Sequence, residues 1–354
     1  YPAAGPDATR CAGTRGDTMV GYAPHSIRSD HQMSDDVQLL GISNAIVDVL
    51  AHVDHTLIEQ IGVVPGSMNL IDELRAHEIY EMMGPATEMS GGSVANTIAG
   101  FANLGGRAAY IGRVSDDQLG EIFNHDMRSL GIDIRLQPSP DGAPTARSHI
   151  MITEDGQRTM NTYLGACTEL GVADIAPETF GKPKAVLIEG YVWDIAEGPA
   201  LAKKAMELAA KSRSTVALSL SDSFCVERHR ESFAEAIRDG AHIVVADEDE
   251  INVLMGTDNF DDTLEAIRNY DNLFVMTRSD KGSVIVHRGE QHVQEATRVE
   301  KVIDTTGAGD AYCAGFLYGW VHDKSLAECA RAGTLCATAV IQQLGARIEK
   351  GVLD

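Results

Sequence analysis

The stretch KVIDTTGAGDAYCAGFLYGW, residues 301–320, places one carboxylate, Asp310, directly behind a turn of the smallest residues, Gly307, Ala308 and Gly309. Such residues let a ligand come close to the backbone. At a helix start their N–H groups lack partners within the helix and point forward, so with the helix dipole they form an anion hole. The dipole contributes roughly 0.3–1 kcal/mol per charge, too little to drive a reaction. A fixed amide aimed at charge that develops in a transition state is worth roughly 3 kcal/mol. Asp310 then faces the same anion. Its natural task is to take the proton of a hydroxyl attacking a terminal phosphoryl group, a contribution of roughly 10²–10⁴-fold. The alternative is a first-turn carboxylate that only stabilises its own helix.

Several elements must position that turn. From Val37 onward the segments VQLLGISNAIVDVLAHV, AAYIGRV, HIMIT, AVLIEGYV, TVALSL, HIVVAD, LFVMTR and SVIVHR are short, apolar and often β-branched, which predicts strands. Between many of them lie alanine- and leucine-rich stretches with helical spacing, such as GPALAKKAMELAAKS, RESFAEAIRDG and DTLEAIRNYD. Alternation of this kind means βαβ units, an α/β fold with a mainly parallel sheet covered on both faces. KVIDTTGAGD is expected to end a strand at the carboxyl edge, where open α/β sheets bind ligands. Residues 46–72 and 140–165 break the rhythm: they alternate in short pieces with Gly and Pro punctuation, predict no intervening helix, and suit a small β-sheet lying over the main domain as a lid.

The chain of 354 residues suffices for one large α/β domain, or a large one plus a small one. Its formal charge of −23, from 52 acidic and 29 basic residues, argues against nucleic acid or an anionic membrane as partner, because either must be met with positive charge. A small phosphorylated ligand remains compatible. No apolar run reaches the 18 or so residues of a membrane span. Cys11, Cys167, Cys225, Cys313, Cys329 and Cys336 show no C-x-x-C pair and no metal-ligand spacing, and so read as reduced thiols of a cytoplasmic protein. Residues 1–33 have neither a hydrophobic period nor a signal-peptide core and read as a flexible or vector-derived extension, with Met33 a natural start; a transit peptide is the other reading. That leaves 34–354 as the domain. His52 and His55, near Asp48 and Asp54, are discounted as a metal cluster, because residues three apart on a strand face opposite sides. Walker A and G-x-S-x-G are missing, as is G-x-G-x-x-G after the first strand, which excludes the usual dinucleotide fingerprint.

Two motifs together carry a resemblance. DTTGAGDAYCAGFLYG resembles the second signature of the ribokinase-like (PfkB) carbohydrate and nucleoside kinases, and GGSVANTIAGFANLGGRAAYIGRVSDDQLG, residues 91–120, resembles the first. The order and separation match, and the likeness spans essentially all of 37–350. It implies a three-layer αβα domain with a β-sheet lid, and transfer of the γ-phosphate of ATP to a hydroxymethyl group. By that match Asp310 is the base and Gly307, Ala308 and Gly309 hold the transferring phosphoryl. Gly91 and Gly92 let the acceptor lie against bare backbone, and Asn96 bonds one of its hydroxyls; a simple turn before a helix is the plainer account of the glycines. Asp304 and Thr306 match positions that bind a monovalent cation such as K+ in many members, or else cap a strand end. Where the family usually shows N-x-x-E beside the magnesium–phosphate site, this chain has Asp247 and Glu250 in ADEDEINVLMG. Aspartate still suits a magnesium-bound water, and a solvated helix start is the alternative.

Within the family GISNAIVDVLAHVDHTLIEQIGVVPGSMNLID resembles the start of the adenosine kinases, with Asn44 and Asp48 preceding the lid. The match implies that Asp48 accepts hydrogen bonds from a ribose diol, since a carboxylate offers two acceptor oxygens. CARAGTLCATAVIQQLGAR is similar to the same subgroup and would wall the adenine of ATP. Arg158 is placed to neutralise phosphate on closure, or else faces solvent. Met68, Leu70 and Tyr191 are candidates to sandwich a nucleobase, or else plain core. The resemblance thus implies an enzyme of purine salvage that makes AMP and ADP from adenosine and ATP with Mg2+, as a monomer or homodimer. Guanosine, inosine, ribose and fructose remain open as acceptors, as does a nucleoside-binding protein without catalysis.

Overall fold

The computed structural model of the protein describes residues 36–353. The extension expected over 1–33, including Cys11, lies outside the described residues. In chain order the strands are β1 (Leu39–Ile42), β2 (Ile46–His52), β3 (Met68–Leu70), β4 (Thr87–Gly91), β5 (Ala108–Ile111), β6 (Asp133–Ile134), β7 (Ala146–Ile152), β8 (Arg158–Tyr163), β9 (Ala185–Glu189), β10 (Thr215–Ser219), β11 (Ile243–Asp247), β12 (Leu273–Thr277), β13 (Ser283–His287) and β14 (Glu290–Gln294). The helices are α1 (His55–Ile61), α2 (Glu73–Met82), α3 (Ser93–Asn103), α4 (Gln118–Ser129), α5 (Pro177–Phe180), α6 (Gly198–Ser212), α7 (Ser223–Asp239), α8 (Glu248–Met255), α9 (Phe260–Ile267), α10 (Ala308–Val321) and α11 (Leu326–Val340).

Nine strands form the central sheet in the order β14-β13-β12-β11-β10-β9-β1-β5-β6. All pairs are parallel except β12–β13 and β13–β14. The continuous apolar runs of the inner strands follow from burial on both faces. Leu40, Ile42, Val186, Ile188, Val216, Leu218 and Val244 pack with α6, α7 and α8 on one side. Leu39, Leu187, Ala217, Ile243 and Val245 pack with α3, α10 and α11 on the other. The three-layer αβα architecture is therefore present. Helix α10 is apolar around its whole circumference because α3 and α11 enclose it. Its glycines permit that: a Cβ on Gly315 would stand 2.5 Å from the Ala332 carbonyl oxygen of α11.

A second sheet of five strands, ordered β3-β8-β7-β2-β4, stands apart from the first. Strand β4, inside the stretch leading to the first glycine motif, joins it against expectation, pairing antiparallel with β2. Two further expectations are corrected. Residues 46–72 do contain a helix, α1, capped by Asp54, whose carboxylate accepts from the Leu57 amide at 3.0 Å, and closed by Gly62 in the left-handed region. His52 accordingly ends a strand while His55 begins a helix, so the strand argument against a metal cluster does not apply there. The lead into the glycine turn, residues 301–305, is irregular chain rather than a strand, tied by the Ile303 amide to the Ile341 carbonyl at 2.8 Å.

Candidate active site

Gly307 is the N-cap of α10 in the left-handed conformation, φ 73°, and a Cβ there would fall 2.6 Å from the Ala346 carbonyl oxygen. Only glycine suits that position. The Ala308 amide turns back to the Thr305 carbonyl at 3.2 Å. The Gly309 and Asp310 amides, in the first turn, have no partner within the helix and face the cavity in front of it. Asp310 lies in that turn, with Oδ1 accepting from Ser93 Oγ at 2.6 Å and Oδ2 from Asn96 Nδ2 at 3.4 Å. Enclosure by protein raises its pKa to about 6, opposed by those two hydrogen bonds. The Asp310 carboxylate is thus held at the start of α10 by two residues of α3, and the two glycine motifs meet there.

The cavity before α10 has a volume of about 940 Å³, within the range of small-molecule sites. Asp310, Gly309 and Ser93 line one end, and Asp247, Glu250 and Thr338 line another part of its wall. Asp247 and Glu250 cap α8 reciprocally: Asp247 Oδ1 accepts from the Glu250 amide at 2.8 Å, and Glu250 Oε2 accepts from the Asp247 amide at 3.0 Å. Burial pushes Glu250 up to about 8, and the Asp247 charge adds to it; burial likewise raises Asp247. Oxygen donors that repel one another in a cavity are the setting in which a hard divalent cation is gained, and the pair fits Mg2+.

The remaining candidates lie on the second sheet, none of whose residues lines that cavity. Asp48 on β2 pairs in register with Met89 of β4 and Ser148 of β7; Ser148 pairs with Thr162 of β8, and Thr162 with Leu70 of β3. Paired residues share a face, so Asp48, Leu70 and, by the same register, Met68 lie on one side of this sheet. Met68 and Leu70 are 38% and 53% exposed, which removes the plain-core reading for both. Tyr191 differs: its ring packs on the hydrophobic core, and its carbonyl accepts from Asn44 Nδ2 at 3.2 Å. Asn44 Oδ1 is buried with no partner. Gly91 and Gly92 sit beneath Asp48 and Asn44 respectively; Gly92 has φ 93° and approaches the Asn44 carbonyl. Burial raises Asp48 to about 7, with the positive charges of Arg347 and Arg158 opposing it.

Arg158 of β8 reaches across to Asp304 and forms an ion pair with its Oδ2, so it does not face solvent. The same carboxylate accepts from the Thr306 amide at 3.0 Å and the Gly345 amide at 2.9 Å. With a guanidinium and two amides already on it, Asp304 does not fit a free cation ligand, and Thr306 contributes its backbone to the carboxylate.

Sequence reasoning missed three members of this constellation. Glu189, at the end of β9, accepts from the Asn44 amide at 2.8 Å and the Val94 amide at 3.1 Å, joining the acceptor loop to the start of α3. Burial raises it to about 7. A lone acid closing the apolar run AVLIE was its signal. Ser93 was hidden in a motif read for its glycines, and nothing in the sequence pattern marks Arg347.

The chain matches the pfkB family of carbohydrate kinases over residues 50–350. This chain is a member of the pfkB kinase family. A pfkB kinase is a phosphotransferase, and the family implies ATP, usually with Mg2+. An adenosine kinase structure from Sinorhizobium meliloti is 46% identical, with a TM-score of 0.84 over 90% of this chain and 97% of that one. A probable sugar kinase from Rhizobium etli CFN 42 is 42% identical, with a TM-score of 0.84 over 89% and 96%. The 5-dehydro-2-deoxygluconokinase of Lacticaseibacillus casei is 28% identical over 265 residues, 72% of this chain and 81% of that protein. Among pfkB kinases, then, its likenesses include both nucleoside and sugar kinases. No helix among the described residues is long and apolar enough to cross a membrane.

Proposed function

We propose that this pfkB kinase phosphorylates the 5′-hydroxyl of adenosine, giving AMP and ADP. The observation that carries the reading is the face of the second sheet that joins Asp48 to exposed Met68 and Leu70. It offers a diol acceptor beside an apolar platform for a nucleobase, and the 46% identity to an adenosine kinase points the same way. Asn44, with an unpartnered buried oxygen, adds an acceptor toward the ligand.

In the proposed reaction Asp310 takes the proton of the acceptor hydroxyl through a carboxylate oxygen. The hydroxyl oxygen forms the new bond to the γ-phosphorus as the bond to the β,γ-bridging oxygen breaks and ADP leaves. The Gly309 and Asp310 amides face the charge on the transferring group. Mg2+, when bound, neutralises phosphate charge, and Asp247 with Glu250 would hold it through water. The second sheet serves as a lid that excludes water from the γ-phosphate. The buried, free state of Cys167, Cys225, Cys313, Cys329 and Cys336 supports a cytoplasmic setting.

A second reading rests on Asp48, whose two oxygens suit the diol of a free sugar equally. ADP release with Mg-ATP and adenosine, guanosine, inosine, ribose and fructose in parallel separates the two. A dominant kcat/KM for adenosine is expected. A sugar ahead of every nucleoside would overturn the acceptor and keep the kinase, and no turnover with any acceptor would favour a nucleoside-binding protein.

A further inference from the structure

Arg347, 251 positions after Asn96, lies in the C-terminal segment, with Nε donating to Asn96 Oδ1 at 3.3 Å. Its Nη2 lies 3.9 Å from the thioether sulfur, Sδ, of Met127 on α4. The next residue, Ile348, is 2% exposed and its carbonyl accepts from Asn103 Nδ2 of α3 at 2.9 Å, so the segment is pinned to the helix that carries Asn96. On its other side Asn96 donates through Nδ2 to Asp310 Oδ2 at 3.4 Å.

The side-chain amide therefore sits between two groups of fixed character. A guanidinium only donates, and an ionised carboxylate only accepts. One orientation of Asn96 satisfies both, with oxygen toward Arg347 and nitrogen toward Asp310. Without Arg347 the opposite orientation becomes available; it sets the amide oxygen against the carboxylate, which favours the protonated acid and disfavours the base. We propose that Arg347 is a positioning residue that acts through Asn96 to keep the base Asp310 oriented and ionised. The proposal rests on Asp310 being the general base. Asp48 and Asp126 are the acids whose charge also favours the Arg347 cation, and Ser93 is the other donor on Asp310.

The test uses the full chain, Mg-ATP and the best acceptor of the panel above. Arg347→Met is expected to lower kcat by about tenfold or more, in line with the cost of a loosened catalytic group. The acceptor KM should rise as well, because the Arg347 charge also holds Asp48 down, so the proposal is read from kcat at saturating acceptor and from its pH limb. The acidic limb of kcat against pH should move to higher pH. On an Asn96→Ala background the same substitution should cost little further, because the route through Asn96 is already cut. Arg347→Gln, which keeps an N–H donor for Asn96 Oδ1, should recover most of kcat and the limb, and it decides the matter if the methionine variant does not fold. A kcat within twofold of the unsubstituted protein with an unmoved limb, full additivity with Asn96→Ala, or no recovery with glutamine would each overturn the proposal. Asp310→Asn separates its failure from failure of the base: retained turnover there removes Asp310 itself.

Discussion

Gly91 and Asp48 approach so closely that no side chain on residue 91 is compatible with the carboxylate as placed: a Cβ on Gly91 would lie 2.3 Å from the Asp48 carboxyl carbon. The two face each other because β2 and β4 pair, with Asp48 opposite Met89 and Ile46 opposite Gly91. Gly91→Ala should therefore displace Asp48 and raise the acceptor KM by about tenfold or more, the scale of losing hydrogen bonds to a charged group. The KM for ATP should change little. Equal rises in both would mean a general distortion instead.

Asp310→Asn should lower kcat by roughly 10²–10⁴-fold while acceptor binding, followed by calorimetry, stays near normal. The same variant should melt higher at pH 8. Asp310 is raised to about 6 in the folded protein, above its ordinary value near 3.8. The native state then binds more protons than the unfolded chain between those values, so this group makes stability fall as pH rises through that window. Asparagine removes the cost of the buried charge, and its advantage should shrink toward pH 4.

The pH profile of activity follows from the same enclosure. Asp310 must be ionised to accept a proton and Asp48 to accept two hydroxyls, and burial places them at about 6 and about 7. The value of kcat/KM should fall as pH drops below about 7, rather than near 4 where exposed carboxylates titrate. A profile flat down to pH 5 would remove both assignments.

Asp247→Asn removes one of two crowded carboxylates at the start of α8 and keeps an oxygen that can cap Glu250. The Mg2+ concentration for half-maximal rate should rise by about threefold, the order expected from one fewer charged oxygen near a hard cation. An unchanged magnesium titration would place the ion elsewhere.

The Arg158–Asp304 pair gives a fifth test. A guanidinium already neutralises Asp304, so replacing K+ by tetramethylammonium at constant ionic strength should alter kcat/KM by less than about twofold, the effect of removing a screened background ion. A tenfold fall would show that the cation displaces Arg158 from the carboxylate.

Much of this was legible in the residues. The strand-and-helix alternation gave the layered sheet, since period and apolar content are local properties: GPALAKKAMELAAKS is α6 from end to end. The glycine turn and Asp310 were readable because a left-handed residue and an acid in the first turn have few other uses. Short elements were less readable. Helix α1 has two turns and was hidden by neighbouring Gly and Pro, and the five residues of β4 carry no alternation strong enough to separate them from the motif they precede. For Tyr191 the chain left two readings open, because an aromatic after a strand end looks alike whether its ring faces a ligand or the core; the ring packs on the core.

The kinase family, the glycine turn with Asp310 behind it and the Asp247–Glu250 pair before α8 were all readable from the chain, because each lies within one turn or motif. Only the tertiary structure decided how these are held: Arg347 on Asn96, Glu189 between Asn44 and Val94, and Arg158 on Asp304. Those contacts join residues some 95 to 251 positions apart, and their partners are chosen by the packing of β9, α3, α10 and the second sheet. A charge at such a distance leaves no periodic trace in the chain, so its partner becomes visible only once the layers are assembled.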